Sequence, residues 1–349
     1  MARDVSEGKQ LMSESLKGVM IGAGFFAGFQ ADAWRRTEAA DIIAVADPLP
    51  VKAREFADQH GIANAYESVD EMLDAEAPDF VDIATRPDSH LDLVKNVARR
   101  GINIICQKPM APTWEDSVEM VDFCKAMKVR LLIHDNWRWQ PWYREIRRVV
   151  EAGQIGERYL TRFSWRTGDG VGPEPYVHQP YFREMPRLLI YESLMHLLDT
   201  FRFLVGEVES LTCSISRKNP AIAGEDQATI ELLFKNGLKG VIDGDRTDGP
   251  FPAPVAMGWL TLDGETASLN MAADGQVTLN VPGVAPRELV FDRPDTGYKG
   301  ESVFAAQEHY ADCLKRGTFC ESEGIEYLKT VRLVDACYEA AAKGARVTV

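Results

Sequence analysis

The chain has 349 residues, 45% hydrophobic and 26% charged, a globular composition long enough for about two domains. Its 39 Lys and Arg face 53 Asp and Glu, and the formal charge of −14 argues against a broad basic surface for nucleic acid. No apolar run approaches the roughly 18 residues that span a membrane, the polar start shows no export signal, and six scattered cysteines lack disulfide or metal-ligand spacing, so a cytoplasmic protein with no metal is the expectation.

Residues 1–16 read as a polar N-terminal extension. From 17 to 136 short β-branched runs alternate with amphipathic stretches, which predicts βαβ units and an α/β, doubly wound parallel sheet. The strand candidates are GVMIG, IIAVAD, FVDIAT, NIICQK and RLLIHD. Helices are expected between them near 27–37, 51–59, 68–75, 89–100 and 113–127. From 137 to 349 the pattern changes. After a helix near 141–151, the runs YLTRFSWRT, ESLTCSISRK, QATIELLF, LKGVIDGD, MGWLTLDG, TASLNM and QVTLNV alternate as a mostly antiparallel sheet. Helices near 190–205, 302–316 and 323–342 make this second domain α+β, the last of them placed to pack back on the first domain. Residues 168–187, rich in Gly, Pro and aromatic residues, read as a loop.

Gly22-Ala23-Gly24-Phe25-Phe26-Ala27 follows the first strand and opens a helix, the context that G-x-G-x-x-G/A requires. Gly22 permits the tight turn, Gly24 lets the backbone approach a pyrophosphate, and the helix N-terminus offers it unpaired N–H groups. Asp47 ends the second strand, where a carboxylate accepts hydrogen bonds from the adenosine ribose. No arginine follows at once for a 2′-phosphate, so NAD is expected rather than NADP.

Ligands of such sheets lie beyond the carboxyl ends of the strands. Thr85-Arg86-Pro87 and Gln107-Lys108-Pro109 stand at two of these ends. His90, at the start of a helix, fits either a structural role or a cofactor contact. Lys108 is aimed toward the cleft by the proline after it, or is an exposed charge. On a helical wheel Leu194, Leu197, Leu198, Phe201, Leu204 and Val205 form one stripe, with Glu192, His196 and Asp199 opposite. The i, i+4 and i, i+3 spacings bring carboxylates within reach of the imidazole, which can then accept a hydroxyl proton. A solvated polar face explains the same pattern.

Asn136, Trp137, Arg138, Trp139, Arg166, Tyr176, His178 and Arg187 are cleft candidates that join planar apolar surface to hydrogen-bond donors, a mixture suited to a sugar or cyclic polyol. Core tryptophans and surface ion pairs are the alternative.

Taken together, these residues resemble the Gfo/Idh/MocA family of nicotinamide-dependent oxidoreductases over essentially the whole chain from Lys17. Gln107-Lys108-Pro109 stands where the family has Glu-Lys-Pro, Glu192-x-Leu194-x-His196-x-x-Asp199 where it has D-x-G-x-H-x-x-D, and Asn136-x-Arg138-x-x-Pro141 where it has N-x-R-x-x-P. The resemblance implies that Lys108 and His196 are catalytic and flank a substrate carbinol, His196 as base and Lys108 orienting the oxygen. Glu192 and Asp199 would line the same site. It implies an aldose such as D-apiose oxidised at its anomeric hydroxyl, with an inositol or polyol, or a glycoside cleaved by an NAD-dependent route, as alternatives. A homodimer or homotetramer is implied as well.

Overall fold

The computed structural model describes residues 15–294 and 299–349; the predicted extension over residues 1–16 lies almost wholly outside them. The first half alternates β1 (Leu16–Ile21), α1 (Phe25–Trp34), β2 (Ala40–Ala46), α2 (Pro50–His60), β3 (Asn64–Tyr66), α3 (Val69–Glu76), β4 (Phe80–Ile83), α4 (His90–Arg99), β5 (Asn103–Gln107), α5 (Trp114–Met127) and β6 (Leu131–His134). Local chemistry sets the helix starts. Pro50 opens α2, and the hydroxyls of Ser68 and Thr113 accept from the backbone N–H of Glu71 and Asp116. The six strands are parallel in the order β3-β2-β1-β4-β5-β6. The order reverses between β1 and β4, and that reversal creates the crevice in which a dinucleotide lies. β3 was not anticipated; three mostly exposed residues at a sheet edge carry no apolar alternation.

A one-turn helix at Trp137–Trp139 carries the chain into α6 (Pro141–Glu151) and β7 (Arg158–Arg166). A π-helical turn, Leu189–Leu194, runs straight into α7 (Met195–Val205). Then follow β8 (Val208–Ser216), β9 (Gln227–Phe234), β10 (Lys239–Asp245), β11 (Gly258–Gly264), β12 (Ser268–Met271), β13 (Val277–Asn280), β14 (Arg287–Glu288), α8 (Glu301–Arg316), α9 (Gly324–Lys343) and β15 (Val347–Thr348). Nine strands form one sheet in the order β14-β13-β12-β11-β7-β10-β9-β8-β15, antiparallel except where β7 meets β10. The expected loop at 168–187 contains a short helix, Pro180–Glu184.

One apolar core runs from β1, β4 and β5 through Trp137, Trp142 and α7 to the inner faces of β7, β9 and β11. A second lies under α1 and α8, around Trp34, Phe80 and Tyr310. α9 reaches back across the molecule to α5 and β6, and Leu132 pairs with Glu323 through a β-bridge. Lys108, just after β5, and Asp135, just after β6, reach Glu192 and His196 across this packing. No described helix is long and apolar enough to cross a membrane.

Candidate active site

The turn between β1 and α1 is shaped by Gly22, whose φ of +98° is one that side chains rarely adopt. A Cβ there would lie 2.9 Å from both the Ala84 carbonyl and Thr85 Cγ2. Gly24 is different, since a Cβ on it would meet nothing in the protein nearer than 3.9 Å. The space above Gly24 is therefore open, at the N-terminus of a helix with no side-chain cap. Asp47 braces this turn. Its Oδ2 accepts from Ala23 N at 3.0 Å and its Oδ1 from Leu49 N at 3.1 Å, while Lys52 Nζ stands at 3.4 Å. An open cradle of backbone N–H groups beside a fixed carboxylate fits the pyrophosphate and ribose of NAD. Phe25 is exposed at the mouth and Phe26 leans toward His134.

At the end of β4, Thr85 Oγ1 bonds Ser89 Oγ at 2.7 Å, Pro87 opens a one-turn helix, and exposed Arg86 lies 5.1 Å over the Tyr181 ring. His90 is fully buried. Its ring sits between the carbonyls of Pro109, Met110 and Thr85 at 3.0–3.2 Å, and burial lowers its pKa against the pull of those carbonyls. Both ring nitrogens face backbone carbonyls, the arrangement that its structural reading expects. His90 ties the loop carrying Lys108 to the loop carrying Thr85. Gln107 accepts from Lys108 N through Oε1 at 2.8 Å, while its Nε2 is a buried donor with no partner. That orphan donor at a strand end is a ready contact for a bound cofactor.

Lys108 turns inward. Its Nζ donates to Glu192 Oε1 at 2.7 Å and to the Glu192 carbonyl at 2.9 Å. Burial alone would raise the Glu192 pKa, but the charges of Lys108 and Arg246 hold it at about 2. The second oxygen of Glu192 accepts from Ser193 Oγ at 2.8 Å and lies 3.8 Å from Arg246 Nη1. Arg246, just after β10, is buried. It pairs with Asp169 and lies 4.3 Å over the Tyr176 ring, whose hydroxyl has no partner.

The wheel of the 190–205 helix needs correction. Its first part is π-helical, so the positions do not advance at 100° per residue, and residues 195–201 are buried on every side. Asp199 does not reach His196. It accepts two bonds from Arg138, at 2.7 and 2.6 Å, and one from Thr330 at 3.0 Å. His196 bonds instead to Asp135, at the end of β6, and stacks on Trp137 with ring centres 4.9 Å apart and planes 19° apart. Glu192 feels the charges of both Lys108 and His196, so the three form one cluster.

Several cleft candidates have partners inside the protein. Arg138 is committed to Asp199, and Asn136 Nδ2 donates to buried Ser302 Oγ at 2.7 Å. Trp139 is held between Arg144 and His309, at 4.1 and 4.6 Å. Arg166 grips Asp243 and stands 3.3 Å from Asp248. Arg187 pairs with Asp335 at 3.0 Å and covers the Tyr338 ring. His178 faces solvent. Tyr176 stays with the cluster through Arg246, and Trp137 through His196. Sequence reasoning missed Asp135, Trp165, Tyr181, Arg246 and Tyr327. Trp165 packs on Trp137 at 5.2 Å with its Nε1 unpaired, and burial together with the Glu192 charge pushes the Tyr181 hydroxyl up to about 12.

Among the described residues, His309, Cys313 and Cys320 bring three ligand atoms within 4.8 Å of one another. Two of the three already have internal partners: His309 Nε2 accepts from Glu321 N and Cys313 Sγ donates to the Phe319 carbonyl. A cleft of about 540 Å³ lined by Arg138, Arg144, Arg202, Glu207 and Glu321 is a field of matched ion pairs, and neither Lys108 nor His196 lines it.

Known proteins share this architecture. The model of the oxidoreductase family with an NAD-binding Rossmann fold matches residues 16–134, and that of the GFO/IDH/MocA C-terminal domain matches residues 143–269. The D-apiose dehydrogenase of Rhizobium rhizogenes is 35% identical over 96% of this chain and 97% of its own. An inositol 2-dehydrogenase of Corynebacterium glutamicum is 29% identical over 60% of this chain and 59% of its own. In structure, an oxidoreductase from Agrobacterium radiobacter in complex with NAD+, L-tartaric acid and magnesium superposes with a TM-score of 0.89 at 35% identity, covering 96% of this chain and 98% of the other.

Proposed function

The chain belongs to the Gfo/Idh/MocA family of NAD-binding oxidoreductases, and from that premise we propose that it oxidises the anomeric hydroxyl of an aldose, D-apiose before others, to the lactone. The observation that carries the reading is the cluster in which Glu192 bonds Lys108 one helical turn before His196, at the carboxyl end of the parallel sheet. The likeness to D-apiose dehydrogenases over nearly the whole length of both chains supports the choice of sugar. The inositol 2-dehydrogenase relatives support a cyclic polyol as the second reading.

Gly22, Gly24 and the first turn of α1 would hold the pyrophosphate, Asp47 the adenosine ribose, and Gln107 Nε2 the nicotinamide half. NAD supplies the acceptor for the hydride leaving the carbinol carbon. The remaining work falls to this chain's side chains. His196 takes the hydroxyl proton through Nε2. Lys108, fixed by Glu192, orients the same oxygen and offsets its growing negative charge. Trp137, Trp165 and Tyr176 would give the sugar ring its apolar walls and Arg246 one edge of the pocket. Trp259, exposed on the outer face of the nine-stranded sheet, belongs to the surface through which we propose a homodimer or tetramer.

The test is a panel of pentoses, hexoses and inositols with NAD or NADP, followed by absorbance of the reduced nicotinamide. D-Apiose with NAD should give the highest kcat/KM. Cleavage of aryl glycosides with no net reduced nicotinamide from any free sugar would replace the dehydrogenase by the hydrolase.

A further inference from the structure

Beneath His196 lies a carboxylate that belongs to none of the motifs. Asp135 follows β6 and is 1% exposed. Its Oδ1 stands 2.7 Å from His196 Nδ1 and accepts the backbone N–H of Trp137 at 3.1 Å. Its Oδ2 accepts the hydroxyl of Tyr327 at 2.7 Å, from a helix 192 residues further on. Burial opposes its charge, but His196, Tyr327 and the Trp137 amide outweigh burial and hold the carboxyl well below the usual range. An ionised carboxylate can only accept. The proton between the two groups therefore sits on His196 Nδ1, and in the neutral ring, the form that acts as a base, the lone pair is on Nε2.

Among the described residues the other nearby carboxylates are engaged elsewhere. The Glu192 oxygens are engaged by Lys108 and Ser193, and those of Asp199 by Arg138 and Thr330. Trp137 stacks on the imidazole and so fixes the plane in which the ring turns, while its own amide is anchored by the same oxygen that receives Nδ1–H. Nothing among the described residues bonds His196 Nε2. The proposed base thus has one nitrogen locked and one available.

We propose that Asp135 is the positioning residue of this site, holding His196 in the Nδ1–H tautomer with Nε2 turned to the substrate hydroxyl, and that Tyr327 on α9 holds Asp135. The inference rests on the reading of His196 as base. It makes the C-terminal helix part of the catalytic assembly, since Tyr327 is its only group bonded to the Asp135 carboxylate among the described residues.

The test joins a spectrum to kinetics. In the full-length enzyme bound to NADH and labelled with 15N-histidine, the signal lost in His196→Ala should show the Nδ1–H tautomer, and Asp135→Ala should remove that preference. With sugar and NAD, Asp135→Ala should lower kcat about 10²- to 10⁴-fold and leave the Kd for NADH within about twofold, the spread of a site the change does not touch. Tyr327→Phe, which deletes one hydroxyl and keeps the ring, should lower kcat about threefold to tenfold, the worth of one hydrogen bond. It decides the kinetic arm if Asp135→Ala does not fold. An Nε2–H tautomer in the unmodified enzyme, or a folded Asp135→Ala with the parent kcat, overturns the proposal. If no sugar is turned over the function is wrong, and the tautomer still decides the role of Asp135.

Discussion

The candidate cofactor turn and the proposed catalytic cluster stand at the same edge of the same sheet, but they are assembled differently. The turn is local. Gly22, Gly24 and the helix they open are consecutive, and Asp47 closes on Ala23 N from the very next strand. The cluster is gathered from the ends of β5, β6 and β10, from the π turn ahead of α7, and from α9. A backbone turn depends on a few dihedral angles, whereas a buried ion-pair cluster depends on every layer that presses its members together. Changes in packing should therefore reach the chemistry before they reach cofactor binding.

The sharpest way to separate the two regions is Lys108→Met. It should lower kcat about 10²- to 10³-fold, the range for a lost donor at a developing oxyanion, with NAD binding measured by fluorescence titration unchanged. Arg138→Met strikes the packing instead. It leaves Asp199 buried with Thr330 and with Arg202 at 3.8 Å, and urea melts should show a loss of about 3–5 kcal/mol, as for a broken buried pair. Gly22→Ala attacks the turn. The positive φ and the 2.9 Å approach to Ala84 O should cost about 1–3 kcal/mol, seen in calorimetry as weaker NAD binding. Asp47→Ala should narrow the preference for NAD over NADP by about tenfold, one charge-assisted bond; an unchanged ratio removes Asp47 from the ribose site.

Acid offers the gentlest comparison. The folded Glu192 carboxyl is depressed to about 2 from an ordinary 4.5. Its contribution is complete above pH 4.5 and is lost as the pH falls toward 2, because the unfolded chain takes up the proton first. Stability between those values should fall less steeply in Glu192→Gln than in the parent, as read from melts at a series of pH values.

Legibility in the sequence follows the same division. The parallel half could be read almost strand by strand because βαβ units announce themselves through local periodicity; only the short edge strand β3 escaped. The antiparallel strands were equally plain, while β14 and β15, two residues each, carry no pattern. Within the candidate site, context singles out Gly22 and Asp47, and motif singles out Lys108 and His196. Asp135 could not, because no spacing links residue 135 to 196 or to 327. The wheel mispaired His196 with Asp199 because it assumed regular winding through the π turn. Arg138, Arg166 and Arg187 looked like donors facing a cleft because a sequence shows a guanidinium but not the Asp199, Asp243 or Asp335 waiting for it.

The central claim is that this chain transfers hydride from a sugar carbinol to NAD with His196 as base and Lys108 beside it. The most direct measurement is the reduction of NAD by D-apiose, catalysed by the parent enzyme and by the Lys108→Met/His196→Ala double variant, each first shown to bind NAD. The account predicts steady formation of reduced nicotinamide and a sugar lactone with the parent and neither with the variant. Equal rates in the two proteins would contradict it.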